Sequence, residues 1–549
     1  MADKMKGLLL EVQGGRPDWN PDNVCIPSAG SGEVARYAAQ EGHDVYVADM
    51  NCTSGSSLQR VEKALDSFYD RTSQRDPDFF MLTGMTCKAH NNARLATHLK
   101  ERYESIPIIM GGVHVSGARA GLEMAARYGV ADEGVHYAFD ELAKSGIDYL
   151  YSGEAINIGS LLSIISAGSS ESDLSKIRGV SYLVNGGWVH NQRHLDATLE
   201  LPNGKALKEG PLLDNYLFGF NQTHLWRHGP AFPFRISKGC NQACKFCSAM
   251  AVNPRNGFKT HIPYTPLDLE HSFSEFEGLL ERGAKFVFFT DENPLQEDRH
   301  GVSHGRVFLE EIIKRGWTRD VKLGMMTSGS ATANEEEVAL MKRANVMMAM
   351  VGYESFTNPE GLGKTGFDAS DGYKSVNNLK AAGIINMDGA IVGGFEDDAG
   401  SIARELDLRM EAGLDKTLVQ PLQPYFATKT RIEAIQGGLM RNDGREDNGF
   451  GGFGGMHGQK IASLATKRGL EPLDVTEAIV SADRRNSGTN VRRILTGAYI
   501  KNVPSHIAVK LMRSISKIPG AIARRKFSDR QLAEILIEET IKRNTFEFS

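Results

Sequence analysis

The chain is poor in cysteine and tryptophan, with six cysteines and four tryptophans in 549 residues. Six cysteines are too few for a disulfide-stapled scaffold. Basic and acidic residues nearly balance, 63 against 68, so bulk charge does not support a nucleic-acid-binding protein. No apolar run reaches a membrane-spanning length, and Gly7–Val12 is too short for a secretory signal. We therefore expect a cytoplasmic protein that binds neither nucleic acid nor membrane.

What is present is the composition of a large globular protein. Hydrophobic residues make up 41% of the chain and charged residues 24%. At roughly 150 residues per domain, this length predicts three to four domains. Three of the six cysteines, Cys240, Cys244 and Cys247, fall within eight residues. In a reducing compartment such a group is more typical of a metal or redox site than of a structural disulfide.

Residues 1–195 alternate short apolar runs with amphipathic stretches, a pattern typical of a parallel sheet covered by helices. The predicted strands are Gly7–Val12, Asp44–Met50, Asp78–Thr86, Pro107–His114 and Asp148–Gly153. The predicted helices are Ser31–Gly42, Ser57–Gln74 and Asn91–Tyr103. The segment Arg178–His190 is predicted to be a closing hairpin. The pattern predicts an α/β fold, a doubly wound, Rossmann-like domain whose ligand lies beyond the carboxyl ends of its strands.

A second alternating series occupies residues 231–440, after a predicted linker at 196–230. Its predicted strands are Phe232–Ser237, Lys285–Asp291, Lys322–Ser328, Val346–Glu354, Ile385–Gly393 and Thr417–Tyr425. Helical stretches separate them, including Gly305–Arg315, Asn334–Ala344 and Ser401–Ala412. Six strand–helix units predict a partial (β/α)6 barrel of the TIM type, with its active site at the carboxyl ends of the strands. Residues 441–549 are predicted to form a mostly helical carboxyl-terminal domain.

The cysteine group follows the first strand of this barrel. Gaps of three and two residues allow Cys240, Cys244 and Cys247 each to bind one corner of a [4Fe–4S] cube and to leave the fourth iron open. A structural zinc site is the alternative, but it needs a fourth ligand, and His261 is a weak candidate. A chance group of unpaired cysteines is a further alternative. The spacing favours the open cluster.

The segment from Cys240 to Cys247, with Phe246 before the last cysteine, resembles the radical S-adenosylmethionine superfamily. The resemblance implies that the three cysteines bind the cluster while S-adenosylmethionine chelates the open iron. Reductive cleavage would then produce a 5′-deoxyadenosyl radical.

Later strand ends resemble the same superfamily in order. The implied S-adenosylmethionine contacts are Asn293 after the second strand, Glu354 and Ser355 after the fourth, and Gly393 and Gly394 after the fifth. Each of these residues alone is weak evidence, since a glutamate at a strand end is more often solvated or salt-bridged. One departure is visible. The sixth strand continues as Gln423–Thr428, where relatives often have Pro-Gly-Thr, so contacts from this strand are in doubt.

Three segments of the first domain, at Pro107–His114, Tyr151–Glu154 and Ile177–Tyr182, resemble in order the cobalamin-binding domain that precedes the radical domain in one large subclass. The implied cobalamin contacts are Gly111, Gly112 and His114, then Ser152, Gly153 and Glu154, and Thr86 and Cys87 in the loop after the third strand. No Asp-x-His-x-x-Gly motif supplies a lower axial histidine, as is common in this subclass. We expect His114 to be a packing or tail-contacting residue rather than a cobalt ligand, and Cys87 to be a small buried side chain.

Together the resemblances suggest a class B radical methyltransferase with a [4Fe–4S] cluster, S-adenosylmethionine and cobalamin, in the form of methylcobalamin, as cofactors. The methyl acceptor would be an unactivated carbon or a phosphinate phosphorus of a small metabolite, as in phosphinate P-methylases. An external flavodoxin-type or ferredoxin-type protein would donate electrons. One alternative is a cobalamin-dependent radical enzyme that transfers no methyl group and performs a cyclisation, ring contraction or oxidation. Another is a sensor without turnover.

Overall fold

The computed structural model describes residues 3–11, 29–50, 57–83, 89–153, 155–168, 170–193, 213–217, 230–249, 264–298, 300–441, 464–486 and 530. Within these residues, no helix is both long and apolar enough to cross a membrane. Two large sheets and one short strand pair organise this part of the chain.

The amino-terminal sheet has seven strands in the order β2-β1-β3-β4-β5-β6-β7. They are β1 Lys6–Glu11, β2 Asp44–Asp49, β3 Phe79–Thr83, β4 Ile108–Gly111, β5 Tyr149–Tyr151, β6 Val180–Val184 and β7 Gly187–His190. Strands β1 to β5 are parallel, and β6 and β7 form an antiparallel hairpin at the edge. Because the strand order reverses between β1 and β3, the ligand crevice of such a sheet lies above these two strand ends. The predicted doubly wound fold and its hairpin are confirmed.

Helices cover both faces of this sheet. They are α1 Ala29–Gln40, α2 Ser57–Thr72, α3 Ala89–Arg102, α4 Val113–Tyr128, α5 Glu133–Lys144, α6 Ile158–Ser166 and α7 Glu171–Leu174. Successive side chains of a strand point to opposite faces. On β1, Leu9 therefore packs in the core with α1 and α6, whereas Leu8 and Leu10 pack in the core with α2 to α5.

The predicted strand that corresponds to β4 extended too far. Pro107–His114 was expected to be extended, but β4 ends at Gly111 and α4 begins at Val113. Gly112 joins them with φ of +96°, a conformation that favours glycine. In an apolar run of this length, hydrophobic periodicity does not show where a strand ends and a buried helix begins. His114 therefore lies in the first turn of α4.

The second sheet is parallel, in the order β8-β11-β12-β13-β14-β15, so each strand lies beside its neighbour along the chain. The strands are β8 Ala231–Phe234, β11 Phe286–Phe289, β12 Lys322–Ser328, β13 Val346–Glu354, β14 Ile385–Val392 and β15 Lys416–Pro421. A short antiparallel pair, β9 Ser237–Lys238 and β10 Thr265–Pro266, follows β8. This arrangement confirms the predicted partial (β/α)6 barrel.

Helices lie between and after the strands of this sheet along the chain. They are α8 Leu269–Glu281, α9 His304–Lys314, α10 Gly329–Thr332, α11 Glu335–Arg343, α12 Ala369–Ala382, α13 Ala399–Ala412, α14 Lys429–Gln436 and α15 Pro472–Asn486. Seven of them begin after a short polar residue whose side chain accepts a hydrogen bond from the first helical turn. These residues are Asp268, Ser303, Ser328, Asn334, Asp368, Asp398 and Thr428. On β13, Val351 and Tyr353 are buried against the helices, whereas Met350 and Gly352 on the opposite face are only partly buried.

Two predicted regions are described only in part. From the predicted linker 196–230, the structure describes 213–217 and 230, and Leu217 donates its backbone N–H to the carbonyl of Val47 at 2.8 Å. This piece therefore lies along the edge strand β2. From the predicted helical region 441–549, helix α15 packs through Val475 and Ile479 on the barrel. Most of both regions lies outside the described residues, and the domain boundaries stay predictions.

Candidate active site

The cysteine loop follows β8 and is attached on one side to the segment after β11. Gln296 makes two hydrogen bonds to it: its side-chain oxygen accepts from the backbone N–H of Asn241 at 2.8 Å, and its amide donates to the carbonyl of Gly239 at 3.1 Å. The backbone N–H of Gly239 donates to Glu292 at 3.1 Å. Gln296 was not predicted from the sequence, because a glutamine three residues past a strand-end motif forms no recognisable pattern.

On its other side the cysteine loop is attached to the segment after β13. The backbone N–H of Ala243 donates to the Thr365 hydroxyl at 2.9 Å, and the backbone N–H of Thr365 points to the Cys244 sulfur at 3.5 Å. Lys245 donates its backbone N–H to the carbonyl of Gly363 at 3.0 Å. A Cβ on Gly363 would lie 2.5 Å from the Lys245 side chain, so this close approach requires glycine.

The three thiols face a common space. Cys244 is buried, Cys240 and Cys247 are partly buried, and none forms a disulfide. Burial raises the pKa of Cys240 to about 11 and that of Cys247 to about 12, and the neighbouring thiols raise both further. The metal-free thiols are therefore protonated, and a bound metal would displace their protons. The described residues hold no three His, Cys, Asp or Glu side chains close enough to share one metal ion, whereas a cube takes each thiolate on a separate iron. His261 lies outside the described residues.

Glu354 ends β13 in the left-handed region, with φ of +56°. Its carboxylate lies 3.1 Å from the ammonium group of Lys364, and both side chains are largely buried. Burial opposes the charge on Lys364, but Glu354 and the nearby thiols outweigh it and raise the pKa of Lys364. A Cβ on Gly352 would lie 3.0 Å from the Glu354 carboxylate and 3.2 Å from the Lys364 nitrogen. Glycine at 352 therefore leaves room for this ion pair beside the cysteines.

Ser355 is turned into the protein rather than left free. Its hydroxyl donates to the buried Glu405 at 2.9 Å, and Glu405 also accepts from the backbone N–H groups of Phe356 and Thr357. Arg409 donates to the same carboxylate at 2.7 Å. The carboxylate thus fixes the chain as it leaves β13.

The glycine turn after β14 is crowded on two sides. Gly393 has φ of +72°, and a Cβ there would lie 2.7 Å from Val475 of α15. The backbone N–H of Gly394 donates to Asp397 at 2.8 Å. A small cavity lies between this turn and Ser355. These two glycines therefore leave room for the carboxyl-terminal helix α15 and for any ligand in the cavity.

Asn293 and Asp291 are both buried but differ in their hydrogen bonding. Asn293 is 4% exposed, and its side-chain oxygen has no hydrogen-bond partner among the described residues. Asp291 is fully buried and accepts hydrogen bonds from the backbone N–H of Ile236 and the hydroxyl of Ser237. Burial raises the pKa of Asp291 to about 7. Asp291 thus connects β11 to β8, whereas Asn293 keeps a free polar atom.

In the amino-terminal sheet, the predicted residues lie at the carboxyl ends of β4 and β5. A Cβ on Gly111 would lie 3.4 Å from the carbonyl of Tyr151. Ser152 donates its hydroxyl to the carbonyl of Gly179 at 3.1 Å, and Gly153 donates its backbone N–H to Ser116 at 2.9 Å. Glu154, Thr86 and Cys87 lie outside the described residues.

Three buried polar side chains stand beside these strand ends. Asn91 and Asn92 in the first turn of α3 are 1% and 0% exposed, and His114 in α4 is 4% exposed. None of their side-chain nitrogen and oxygen atoms has a hydrogen-bond partner among the described residues. Burial lowers the pKa of His114 to about 4, so its imidazole is neutral. Polar groups of this kind are normally paired, and the two asparagines were missed because the sequence showed only a helix start.

The segment after β15 docks on the amino-terminal domain. Phe426 packs into the core under α4, with its ring centre 5.8 Å from that of His114. Arg431 in α14 makes two hydrogen bonds to Asp132, at 2.6 and 2.5 Å, and both side chains are at most 2% exposed. The departure noted at Gln423–Thr428 therefore coincides with an interface between the two sheets.

A second ion pair joins the domains next to the cysteine loop. Glu33 of α1 forms salt bridges with Arg235 and, at 3.4 Å, with Lys238. Burial alone would raise the pKa of Glu33, but these cations and Arg36 hold it at about 2. The carboxyl edges of the two sheets are thus attached to each other on either side of the space between them.

Two family models match this chain. Residues 23–144 match the B12 binding domain, and residues 234–405 match the radical SAM superfamily. Among characterised proteins, lipoyl synthase of Francisella tularensis subsp. mediasiatica (strain FSC147) is 23% identical over 207 residues, 37% of this chain. The chain spans 60% of the length of that relative.

Solved structures with both domains share the fold. The radical S-adenosylmethionine methyltransferase TsrM from Kitasatospora setae, with cobalamin and a [4Fe-4S] cluster bound, is 18% identical, with a TM-score of 0.57 over 79% of this chain and 75% of that one. The cobalamin-dependent S-adenosylmethionine radical enzyme OxsB, with aqua-cobalamin and S-adenosylmethionine bound, is 15% identical, with a TM-score of 0.61 over 99% of this chain and 79% of that one.

Proposed function

We propose that this chain, which combines a B12-binding domain with a radical S-adenosylmethionine domain, is a methyltransferase acting on an unactivated carbon or a phosphinate phosphorus of a small metabolite. The observation that carries the proposal is the docking of Phe426 and Arg431 on the cobalamin domain, because it turns the carboxyl edges of both sheets toward one space. A substrate in that space would meet both cofactors. The likeness to the methyltransferase TsrM supports methyl transfer as the reaction.

The cysteine loop fits a [4Fe–4S] cluster. Its three thiols are at least partly buried and lie near one another, and backbone hydrogen bonds to Gln296 and Thr365 fix the loop. A preformed loop reduces the ordering that metal binding requires. We assign Cys240, Cys244 and Cys247 as the cluster ligands.

The residues around the loop fit S-adenosylmethionine. Among the described residues, the buried side-chain oxygen of Asn293 has no hydrogen-bond partner and is available to a polar ligand, and Gly394 and Ser355 border a small cavity. We assign the S-adenosylmethionine contacts to the residues predicted from the sequence, Asn293, Glu354, Ser355, Gly393 and Gly394. Since the Ser355 hydroxyl is bonded to Glu405, we assign its part in the site to its backbone and to its effect on Glu354.

The amino-terminal strand ends fit cobalamin. The edge of a corrin ring is rich in amide groups, and Asn91, Asn92 and His114 present buried polar atoms without partners in the described part of the chain. Leaving such groups unpaired costs about 1–3 kcal/mol each, so a ligand that pairs them gains this free energy on binding. We add Asn91 and Asn92 to the cobalamin contacts predicted from the sequence.

When bound, the cluster and S-adenosylmethionine supply an electron and a radical able to remove a hydrogen atom, and cobalamin supplies a cobalt atom able to carry a methyl group. The chain itself binds and orients the substrate. The concave face of the barrel carries Met326, Met350 and Met387 in register on three adjacent strands, and all three are partly exposed. Methionine is apolar and adaptable, so this face suits an apolar part of a small substrate.

The proposal is tested with full-length protein reconstituted anaerobically with iron, sulfide and hydroxocobalamin. It is incubated with S-adenosylmethionine carrying a deuterated methyl group, a strong reductant and candidate phosphinate or carbon acceptors. A methyltransferase yields both S-adenosylhomocysteine and 5′-deoxyadenosine, and the label enters the acceptor. If neither product forms, the result contradicts an enzymatic role and favours a sensor.

The second candidate is a cobalamin-dependent radical enzyme that moves no methyl group. Its support is the likeness over 99% of this chain to OxsB, a cobalamin-dependent S-adenosylmethionine radical enzyme. The same experiment separates the two, because 5′-deoxyadenosine without S-adenosylhomocysteine supports the second candidate and refutes the first. The cytoplasmic location, the flavodoxin-type or ferredoxin-type electron donor and the boundaries at 195, 230 and 440 are parts of the proposal.

A further inference from the structure

We propose that Lys364 is a positioning residue that keeps one positive charge against the cluster and against Glu354, and thereby raises the reduction potential of the cluster. This inference rests on the proposed function in one respect, the binding of a [4Fe–4S] cluster by the three cysteines. It goes further by assigning a role to a residue outside any motif of the sequence.

The first observation is the position of the ammonium group. Lys364 lies between Gly363, whose carbonyl accepts from the cysteine loop, and Thr365, which bonds to that loop at Ala243 and Cys244. The side chain is 9% exposed and ends 3.1 Å from the Glu354 carboxylate. A buried lysine is rarely left without a partner: Lys364 is paired with Glu354, and Cys244 and Cys247 lie close enough to raise its pKa.

The second observation is the room made for this pair. Glycine at 352 leaves room for the pair, because a Cβ would lie within 3.2 Å of both the ammonium and the carboxylate. Glu354 itself is held in a left-handed backbone conformation, with φ of +56°, that residues other than glycine seldom adopt. A glycine and a strained glutamate at successive inward positions of β13 both serve to place one ion pair beside the cysteine loop.

The consequence follows from charge alone. Adding an electron to the cluster adds negative charge, and a buried ammonium beside it stabilises that charge, with little screening by solvent. Reduction takes one electron from the reductant, and Lys364 keeps its proton throughout. Glu354 has the opposite effect, so the two side chains largely cancel when both are present.

The test is a redox titration of the full-length reconstituted protein with dithionite, without S-adenosylmethionine, followed by electron paramagnetic resonance of the reduced cluster. We expect Lys364→Met to lower the equilibrium constant for cluster reduction about tenfold, which is 59 mV for a one-electron couple. Glu354→Gln should change it in the opposite direction, and the double variant should return to within about threefold of wild type.

Lys245→Met is the matched control. Lys245 lies on the same loop, but its ammonium is 43% exposed and paired with Glu433, so solvent and salt screen it. We expect its effect on the equilibrium constant to be less than about threefold. Lys364→Arg, which keeps the charge, should stay close to wild type.

Two results would overturn the inference: an unchanged constant in Lys364→Met, or shifts in the same direction for Lys364→Met and Glu354→Gln, which indicate a structural disturbance. If Lys364→Met assembles no cluster, the equilibrium constant for cluster reduction in Glu354→Gln is compared with that in the double variant. These two proteins differ only at Lys364, and neither leaves an unpaired carboxylate at position 354. A wild-type protein that binds no cluster would instead refute the proposed function.

Discussion

Breaking the Arg431–Asp132 pair should loosen the attachment between the two cofactor domains. In Arg431→Met the apolar stem is kept, but the Asp132 carboxylate, 2% exposed, loses its bidentate partner. Removing one member of a buried ion pair costs about 3–5 kcal/mol, because the remaining charge is left uncompensated. The variant also loses a hydrogen bond to the Pro424 carbonyl and the contact of the guanidinium with the Phe426 ring.

Asp132→Asn provides the second arm of a double-mutant cycle. Asp132 is also the N-cap of α5, and asparagine is an equally good N-cap, so this change removes the charge while keeping the cap. The double variant Arg431→Met/Asp132→Asn leaves no buried charge. We therefore expect it to be more stable than Arg431→Met alone by about 1–3 kcal/mol.

Native-state hydrogen exchange of the full chain is the assay, because a multidomain protein has no single free energy of unfolding. A loss of about 3 kcal/mol corresponds to roughly 100-fold faster exchange in α4 and α14. Lys467→Met is the matched control, since its ion pair with Glu396 is half exposed and such pairs contribute about 0–1 kcal/mol. An increase of less than about fivefold in Arg431→Met, or a double variant that exchanges faster than the single one, would refute the reasoning.

Four further predictions concern the cofactor sites. Cys240→Ala should abolish production of 5′-deoxyadenosine but leave cobalamin binding largely intact in absorption spectra, and loss of both would argue against separate sites. Asn91→Ala should weaken cobalamin binding about tenfold by equilibrium dialysis without changing iron content, and unchanged affinity would remove Asn91 from the site. Because the pKa of His114 falls from 6.5 to about 4 on folding, the unfolded state takes up its proton first, and stability is lost as pH falls from 6.5 toward 4. In native-state hydrogen exchange of α4, corrected for the intrinsic exchange rate at each pH, wild type should lose about 2 kcal/mol from this group between pH 7.5 and 5.0, a loss that His114→Asn should lack. Gly393→Ala should speed hydrogen exchange in α15 but not in β11, because its Cβ would meet Val475 at a positive φ, and equal exchange would contradict this packing.

Much of the fold follows from periodicity. The predicted bounds of β12 and β13, Lys322–Ser328 and Val346–Glu354, are those of the structure, because a strand between two helices is an apolar run with distinct borders. The error at β4 has the same origin. There Gly112 joins a strand directly to a buried helix, and both segments are apolar, so the pattern contains no border.

The residues of the candidate site also fall into two groups, those that the sequence pattern could identify and those that it could not. Residues within one short segment, such as Cys240, Cys244 and Cys247, could be recognised because their spacing along the chain is itself the signal. Lys364 and Gln296 could not, because the fold alone brings them to the cysteine loop: Gln296 bonds to Asn241, 55 residues away, and Thr365, next to Lys364, bonds to Ala243, 122 residues away. Ser355 shows the converse, since its motif predicted a ligand contact and the structure gives its hydroxyl to Glu405.

The sequence by itself determined the order of the elements, the two sheet types and the cysteine loop, because these depend on residues close together in the chain. Only the tertiary structure decided how the two domains meet. Phe426 reaches the core under α4, and Arg431 reaches Asp132 across 299 positions of sequence. Burial selects such partners by shape and charge in three dimensions, and a single sequence contains no period or spacing that records them.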